Sequence, residues 1–84
     1  MIWVKNAKYV RDHVIEITFG DHSKFLVDLY GHLQGEIFKP LKESTYFSKF
    51  RVDPDLDTII WENGADFAPE FLYELGKAQL KKTA

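Results

Sequence analysis

The chain has 84 residues, 45% of them hydrophobic and 15% aromatic, which is enough for one folded domain over residues 1–84. Its net charge of −2 argues against a dedicated nucleic-acid binder, and the absence of cysteine excludes disulfides, thiolate zinc sites and a cysteine nucleophile. No signal peptide is recognisable and no run approaches the ~20 apolar residues of a membrane span, so we expect a cytoplasmic protein without membrane contact.

The N-terminal part of the chain is predicted to form three strands. Residues 2–10 mix apolar and polar positions and make the first strand. Apolar residues then alternate with polar ones over 13–19 and 25–29, and this period of two is typical of half-buried strands. The polar residues 20–23 supply the turn of a β-hairpin. The side chains expected on its buried face are Ile15, Ile17, Phe19, Phe25, Val27 and Leu29.

The middle of the chain has a less regular pattern. Residues 30–45 contain two glycines, and Pro40 is placed to start a short helix. Residues 47–52 are predicted as a fourth strand. The β-forming residues 58–61 are predicted as a fifth strand, which ends at the strong turn dipeptide Asn63-Gly64.

The C-terminal part is predicted to be a helix that begins near Pro69, with Asp66 or Ala68 as its cap. Apolar residues recur there at helical spacing: Phe71, Leu72, Leu75 and Ala78. Short connections favour antiparallel neighbours. The sequence therefore predicts an α+β fold, a small twisted antiparallel sheet of about five strands with a C-terminal helix packed on one face.

Several segments, taken in order, resemble a known family. They are Ile15–Phe19, Val27–Leu29, Phe38–Leu41, Phe50–Asp53, Trp61–Asp66 and Pro69–Tyr73. This ordered set resembles the domain of unknown function 2442 family from about Val4 to Tyr73, and the stretch 61–66 is its most telling part. Two positions depart from the family, His22 in the hairpin turn and Glu62 after the tryptophan. Both lie at turns or strand ends, where they leave the fold intact.

The resemblance implies a small prokaryotic α+β domain without an established activity. Some members carry a C-terminal helix-turn-helix, and many are encoded beside another small protein in a layout like a toxin–antitoxin pair. This chain ends soon after its predicted helix, so we expect no helix-turn-helix in it.

The three histidines suggest a metal site only weakly. His13, His22 and His32 match no short ligand motif, and two imidazoles facing across a hairpin make a weak site without a third ligand. We interpret them as polar residues at strand ends and turns, and we predict neither a metal nor a cofactor.

Acid–base chemistry has one candidate set. Asp28, Tyr30 and His32 bring a carboxylate, a phenol and an imidazole onto one face of an extended segment. The favoured alternative is that Asp28 ends a strand and accepts hydrogen bonds from nearby backbone amides. No serine or cysteine lies in a nucleophile motif, so we predict no catalytic residues.

Two stretches are candidates for an interaction surface. Trp61, Asn63 and Asp66 suit a recognition surface, but filling the core, turning the chain and starting the helix explain them equally well, and we favour the structural explanation. The second stretch is basic and interleaved with aromatic residues, and its cations are Lys39, Lys42, Lys49 and Arg51. It suits nucleic-acid binding or, as we favour, a solvated sheet edge.

The leading functional hypothesis is a non-enzymatic protein-interaction module, the antitoxin-like half of a two-gene pair, whose partner is a protein encoded nearby. A free sheet edge also allows a homo-oligomer. The first alternative is a nucleic-acid-binding regulator that uses the basic stretch. The least favoured alternative is a small hydrolase-like enzyme.

Overall fold

A computed structural model describes the backbone of residues 1–83 and the side chains of residues 1–81. The strands are β1 (Val4–Arg11), β2 (Val14–Phe19), β3 (Lys24–Asp28), β4 (Arg51–Asp53) and β5 (Thr58–Ile60). Two 3₁₀ helices, Tyr30–His32 and Glu36–Lys42, precede the short helix α1 (Ser44–Phe47). The long helix α2 (Pro69–Thr83) follows the last strand. The α+β prediction is confirmed.

The first three strands form one antiparallel sheet in the order β1-β2-β3. In the predicted hairpin, Ile15 pairs with Val27 and Ile17 pairs with Phe25. Ile15, Ile17 and Val27 are fully buried, whereas Phe25 is partly buried against the core. A slip of one residue would turn these side chains to solvent, so burial fixes the register. The predicted hairpin and its buried face are confirmed.

The five strands do not form one sheet, because β4 and β5 pair only with each other. The predicted fourth strand over 47–52 is wrong at its start: residues 44–47 form α1, and the strand begins at Arg51. Glu43 caps α1 by accepting a hydrogen bond at its Oε1 from the Thr45 backbone N–H, 3.3 Å away. This cap keeps the chain helical up to Phe47.

The small β4–β5 sheet is tied to the rest of the molecule by hydrogen bonds at one end. The Val4 backbone N–H donates to the Asp57 carbonyl across 2.9 Å. The buried hydroxyl of Thr58 donates to the Phe67 carbonyl across 2.6 Å. These two bonds fix β5 between β1 and the segment that leads into α2.

Of the two residues predicted to cap α2, Ala68 is the one that occupies the cap position. Its carbonyl accepts the first intrahelical hydrogen bond, from the Leu72 N–H at 3.1 Å. Asp66 instead forms an isolated β-bridge with Ile60, three residues before the helix begins at Pro69. The chain thus extends the β4–β5 pairing before it turns into α2.

Helix α2 packs against β3 along a narrow line. Leu72 is buried, and Gly76 lies so close to Phe25 that an added Cβ would be 2.7 Å from the Phe25 Cβ. The helical spacing predicts that Phe71 and Leu75 point at the sheet; this is wrong for Phe71, which is 39% exposed, whereas Leu75 is partly buried against the core. Ala78 is exposed as well. Successive helical residues are about 100° apart, so the contact line through Leu72 turns Phe71 away from the strands.

The core lies between the inner face of the three-stranded sheet and the elements that cover it. Its buried hydrophobic members are Val4, Ile15, Ile17, Phe19, Val27, Leu29, Leu33, Leu41, Phe47, Ile59, Trp61, Ala65, Phe67 and Leu72. Within the described residues, no helix is long and apolar enough to cross a membrane.

Candidate interaction surfaces

Trp61, the first of the predicted interaction residues, belongs to the core. Its side chain is 2% exposed, and its Nε1–H donates to the Phe47 carbonyl across 2.8 Å. The rings of Phe47, Phe50 and Phe67 surround it, with centroids 5.4 to 6.1 Å away. The indole is thus packed and hydrogen-bonded inside the molecule, as the structural explanation of this stretch requires.

Asn63 organises the turn that follows Trp61. Its Nδ2 donates to the Ile37 carbonyl at 2.8 Å, and its Oδ1 accepts from the Ala65 N–H at 3.0 Å. Gly64 has φ 90°, a conformation that suits glycine. Asn63 therefore holds the 3₁₀ helix Glu36–Lys42 against this turn, while Asp66 stays exposed at the surface.

The four predicted basic residues do not form one uniformly cationic surface. Lys49 and Arg51 line a groove of about 390 Å³, the turn groove, together with Ile60, Trp61, Glu62 and Gly64. Arg51 Nη1 lies 3.2 Å from Asp53 Oδ2, and the exposed Lys39 lies 3.8 Å from Glu36. Lys42 is on the 3₁₀ helix with Lys39, outside the turn groove. Carboxylates thus lie beside two of these four cations, Lys39 and Arg51.

The predicted acid–base set is not assembled as a catalytic group. Asp28 ends β3 and accepts the Tyr30 backbone N–H at its Oδ1, 3.1 Å away, which confirms the backbone-binding interpretation. The Tyr30 ring packs against His13, whereas His32 packs edge-on against Phe71. Among the described residues, no hydrogen bond joins the functional groups of Asp28, Tyr30 and His32.

His13 has a structural role that the sequence did not reveal. It is 9% exposed at the β1–β2 turn, and its ring lies 5.0 Å from Tyr30 and 4.8 Å from Phe47. Its Nε2 is 2.9 Å from the Leu41 carbonyl and 3.0 Å from the Lys42 carbonyl. Carbonyls only accept, so Nε2 carries the hydrogen and ties the second 3₁₀ helix to the first hairpin.

His13 and His22 lie at the turns before and after β2, at its opposite ends, so they do not face each other. In the part of the chain that the structure describes, no three histidine, aspartate or glutamate side chains come close enough together to hold a metal ion.

Sequence reasoning missed a surface groove of about 490 Å³. We name it the sheet–helix groove. It lies on the outer face of the three-stranded sheet beside the end of α2, and its defining residues are Arg11, Val14, Lys24, Leu26, Asp28 and Leu80. The exposed fractions are 53% for Leu26 and 61% for Leu80. Its floor is therefore apolar and open to solvent.

Gln79 forms one wall of this groove and closes the outer edge of β3. Its Oε1 accepts the Asp28 backbone N–H and its Nε2 donates to the Asp28 carbonyl, both at 2.9 Å. The side-chain amide thus takes the place of a neighbouring strand. This pairing holds the end of α2, and with it Leu80, beside the sheet.

The sheet–helix groove carries a cation at each end. Arg11 pairs with Val14 at one end of β2, and Lys24 pairs with Thr18 at the other. Neither cation has an ion pair within the described residues, where only Lys39 and Arg51 do. The sequence signal for this surface was Leu26, an apolar residue at a polar position of the strand alternation.

Comparison with known proteins identifies a family to which the chain is similar. No curated protein and no solved structure is significantly similar to this chain. The family model described as "Protein of unknown function (DUF2442)" matches residues 4–78. This match covers every strand and most of α2, and it agrees with the ordered set of segments noted in the sequence. The chain therefore belongs to the DUF2442 family.

Proposed function

We propose that this chain is a non-enzymatic protein-interaction module that binds its partner through the sheet–helix groove. The supporting observation is that Leu26 and Leu80, both more than half exposed, present apolar surface beside Val14 on the outer face of the sheet. A concave apolar surface flanked by charged residues is typical of contacts between proteins. The partner is a protein encoded nearby, and this chain is the antitoxin-like member of the pair.

Enzymatic and nucleic-acid functions have less support. Asp28 accepts a backbone hydrogen bond, and within the described part of the chain no phenol or imidazole is hydrogen-bonded to its carboxylate. In the basic stretch, Arg51 is paired with Asp53, and Glu62 lines the same groove. Nucleic-acid binding depends on unneutralised cations, so these carboxylates oppose it.

The test combines partner isolation with one groove substitution. The tagged protein is expressed in its native host, co-purifying proteins are identified by mass spectrometry, and the encoded neighbour is then purified and titrated against the chain. Leu26→Glu places a charge in the groove floor and should weaken this purified complex about tenfold or more. Leu56→Glu is the matched control, because Leu56 is a similarly exposed leucine, 47%, outside the groove.

Three results would contradict the proposal. The first is a neighbour protein that does not bind. The second is a complex that Leu26→Glu and Leu56→Glu leave equally intact. The third is salt-sensitive binding of the wild type to single-stranded RNA or duplex DNA that disappears when Lys39, Lys42, Lys49 and Arg51 are together replaced by glutamine. That third result would support the regulator instead.

A further inference from the structure

We infer that the sheet–helix groove receives an amphipathic helix of the partner, whose carboxylates reach Arg11 and Lys24; this rests on the proposed function. A helix fits this surface better than an extended segment. The surface is a sheet face, and the nearby backbone edge of β3 at Asp28 is already taken by Gln79. At Asp28 an extended segment would have to displace Gln79 to pair with the backbone, whereas a helix satisfies its own N–H and C=O groups.

The positions of the two cations set the spacing of the partner's carboxylates. Arg11 lies opposite Val14 and Lys24 lies opposite Thr18, so the two cations are separated by four residues along β2, which is about 13 Å. They also lie on opposite sides of β2, about 9.6 Å apart across two strand spacings. The resulting diagonal is about 16 Å, or about eleven residues of α-helix, which is close to three full turns.

Three turns return a helix to the same face. Carboxylates about eleven residues apart therefore point the same way, and apolar residues about four and seven positions after the first one lie between them. The diagonal crosses β2 at Glu16, whose neighbour on β3 is Leu26, so these apolar residues lie beside Leu26. Two anions share this face: Glu16 lies between Lys8 on β1 and Leu26 on β3, and Asp28, which lines the groove, accepts the Tyr30 N–H at its Oδ1. Arg11 and Lys24 remain available at the two ends of the groove.

A second copy of this chain does not offer this pattern. The one long helix among the described residues is α2, where Glu70 is followed eleven residues later by Lys81, a cation. Docked across the groove, this helix would bring a positive charge to one of the two cations. The charge pattern therefore favours a different protein.

The test uses a designed helical peptide of about 18 residues, with glutamates eleven positions apart and leucines between them on the same face. A second peptide has lysines in place of the two glutamates. We expect the chain to bind the glutamate peptide about tenfold more tightly than the lysine peptide, measured by fluorescence anisotropy. The chain's own net charge of −2 favours the opposite order, so this preference reports the local cations.

A charge exchange sharpens the test. The double variant Arg11→Glu, Lys24→Glu should reverse the preference and bind the lysine peptide more tightly. The matched control is Lys39→Glu, Lys49→Glu, which makes the same charge change outside the groove and should keep the wild-type preference. Thermal unfolding of each variant verifies that it is folded.

Equal affinity for the two peptides, failure of the glutamate peptide to bind, or a preference unchanged by the charge exchange would overturn the helix inference. So would a homodimer that Leu26→Glu dissociates, because a second copy would then occupy the groove. The proposed function is judged separately, by the effect of Leu26→Glu on the purified neighbour protein. If Leu26→Glu abolishes binding of the neighbour protein but the charge exchange has no effect on it, the proposed function holds and the acidic helix is ruled out.

Discussion

The two faces of the β1–β2–β3 sheet differ although the same strands build both. On the inner face, Ile15, Ile17 and Val27 have no exposed surface. On the outer face of the same hairpin, Leu26 is 53% exposed. Because alternation sends neighbouring residues to opposite faces, one short sequence determines a core on one side and a surface for contacts on the other. The inner face should therefore determine stability, and the outer face should determine binding.

The largest expected difference in stability is between two substitutions of similar size, one on each face of the sheet. Ile17→Ala should lower the free energy of unfolding by about 2–4 kcal/mol, because it leaves a cavity in a fully packed site. Leu26→Ala should lower it by less than about 1 kcal/mol, since its side chain is already half in water. Urea unfolding measures both, and equal losses would show that the outer face also carries the fold.

The next prediction concerns the place where α2 meets the edge of this sheet. Gly76→Ala should cost about 1–2 kcal/mol, because the new Cβ would lie 2.7 Å from the Phe25 Cβ, and the resulting displacement outweighs the gain of about 1 kcal/mol in helix propensity. Gly31→Ala is the control, since nothing lies within 4 Å of its added Cβ. A Gly76→Ala variant as stable as the wild type would mean that helix and strand separate easily.

A smaller effect is expected where Gln79 closes β3. Gln79→Met keeps the length of the side chain but removes both hydrogen bonds to Asp28, and we expect a loss of about 1 kcal/mol. The sharper readout is hydrogen exchange, in which the Asp28 amide should become less protected. Gln34→Met is the control: it removes a single hydrogen bond to the Gly31 carbonyl and should leave the protection of the Asp28 amide unchanged.

The smallest expected effect is a pH dependence at the β2–β3 turn. The pKa of Asp21 is lowered, first by the Ser23 backbone N–H, then by the Ser23 side chain and the Tyr73 hydroxyl, whose oxygen lies 2.9 Å from Oδ2. These bonds favour the carboxylate of the folded state. Their contribution is therefore present above the ordinary aspartate pKa of about 3.9 and is lost as the pH falls through the lowered value.

Asp21→Asn tests this contribution through urea midpoints from about pH 2 to pH 7. The variant should be less stable than the wild type near neutral pH, and the difference should shrink in acid. Asp55→Asn is the control, because the Asp55 carboxylate has no hydrogen bond from a described residue. A difference between the Asp21→Asn variant and the wild type that is constant over this range would show that the carboxylate charge is unimportant.

The sequence predicted the fold correctly where the alternation of apolar and polar residues dominates the pattern. The alternation over Ile15–Phe19 and its partner strand fixed the hairpin, its register and its buried face. It failed over residues 44–52, because Tyr46, Phe47 and Phe50 have strand propensity while the Glu43 cap makes the first part helical. The division into two sheets was not predictable either, since β4 and β5 are only three residues long.

The candidate site was less accessible to prediction. The structural role of Trp61 follows from its type in so small a core, and the sequence favoured it. The sheet–helix groove depends on where α2 docks, because Leu80 reaches the sheet through the bonds that Gln79 makes fifty-one residues away in sequence. Helical periodicity identifies an apolar side of α2 but not the strand against which it lies.

The closure of β3 by α2 has a consequence for aggregation. Helix α2 packs along β3, so among the described residues the open edge of the three-stranded sheet is β1 beyond Val4, whose N–H is bonded to the Asp57 carbonyl. Strands from other molecules can add to a sheet indefinitely only when both edges are open. Addition at β1 would end with one pair of molecules, and there the like charges of Lys5, Lys8 and Arg11 and two bulges oppose even that step. Growth of this sheet into a fibril therefore first requires that α2 detach.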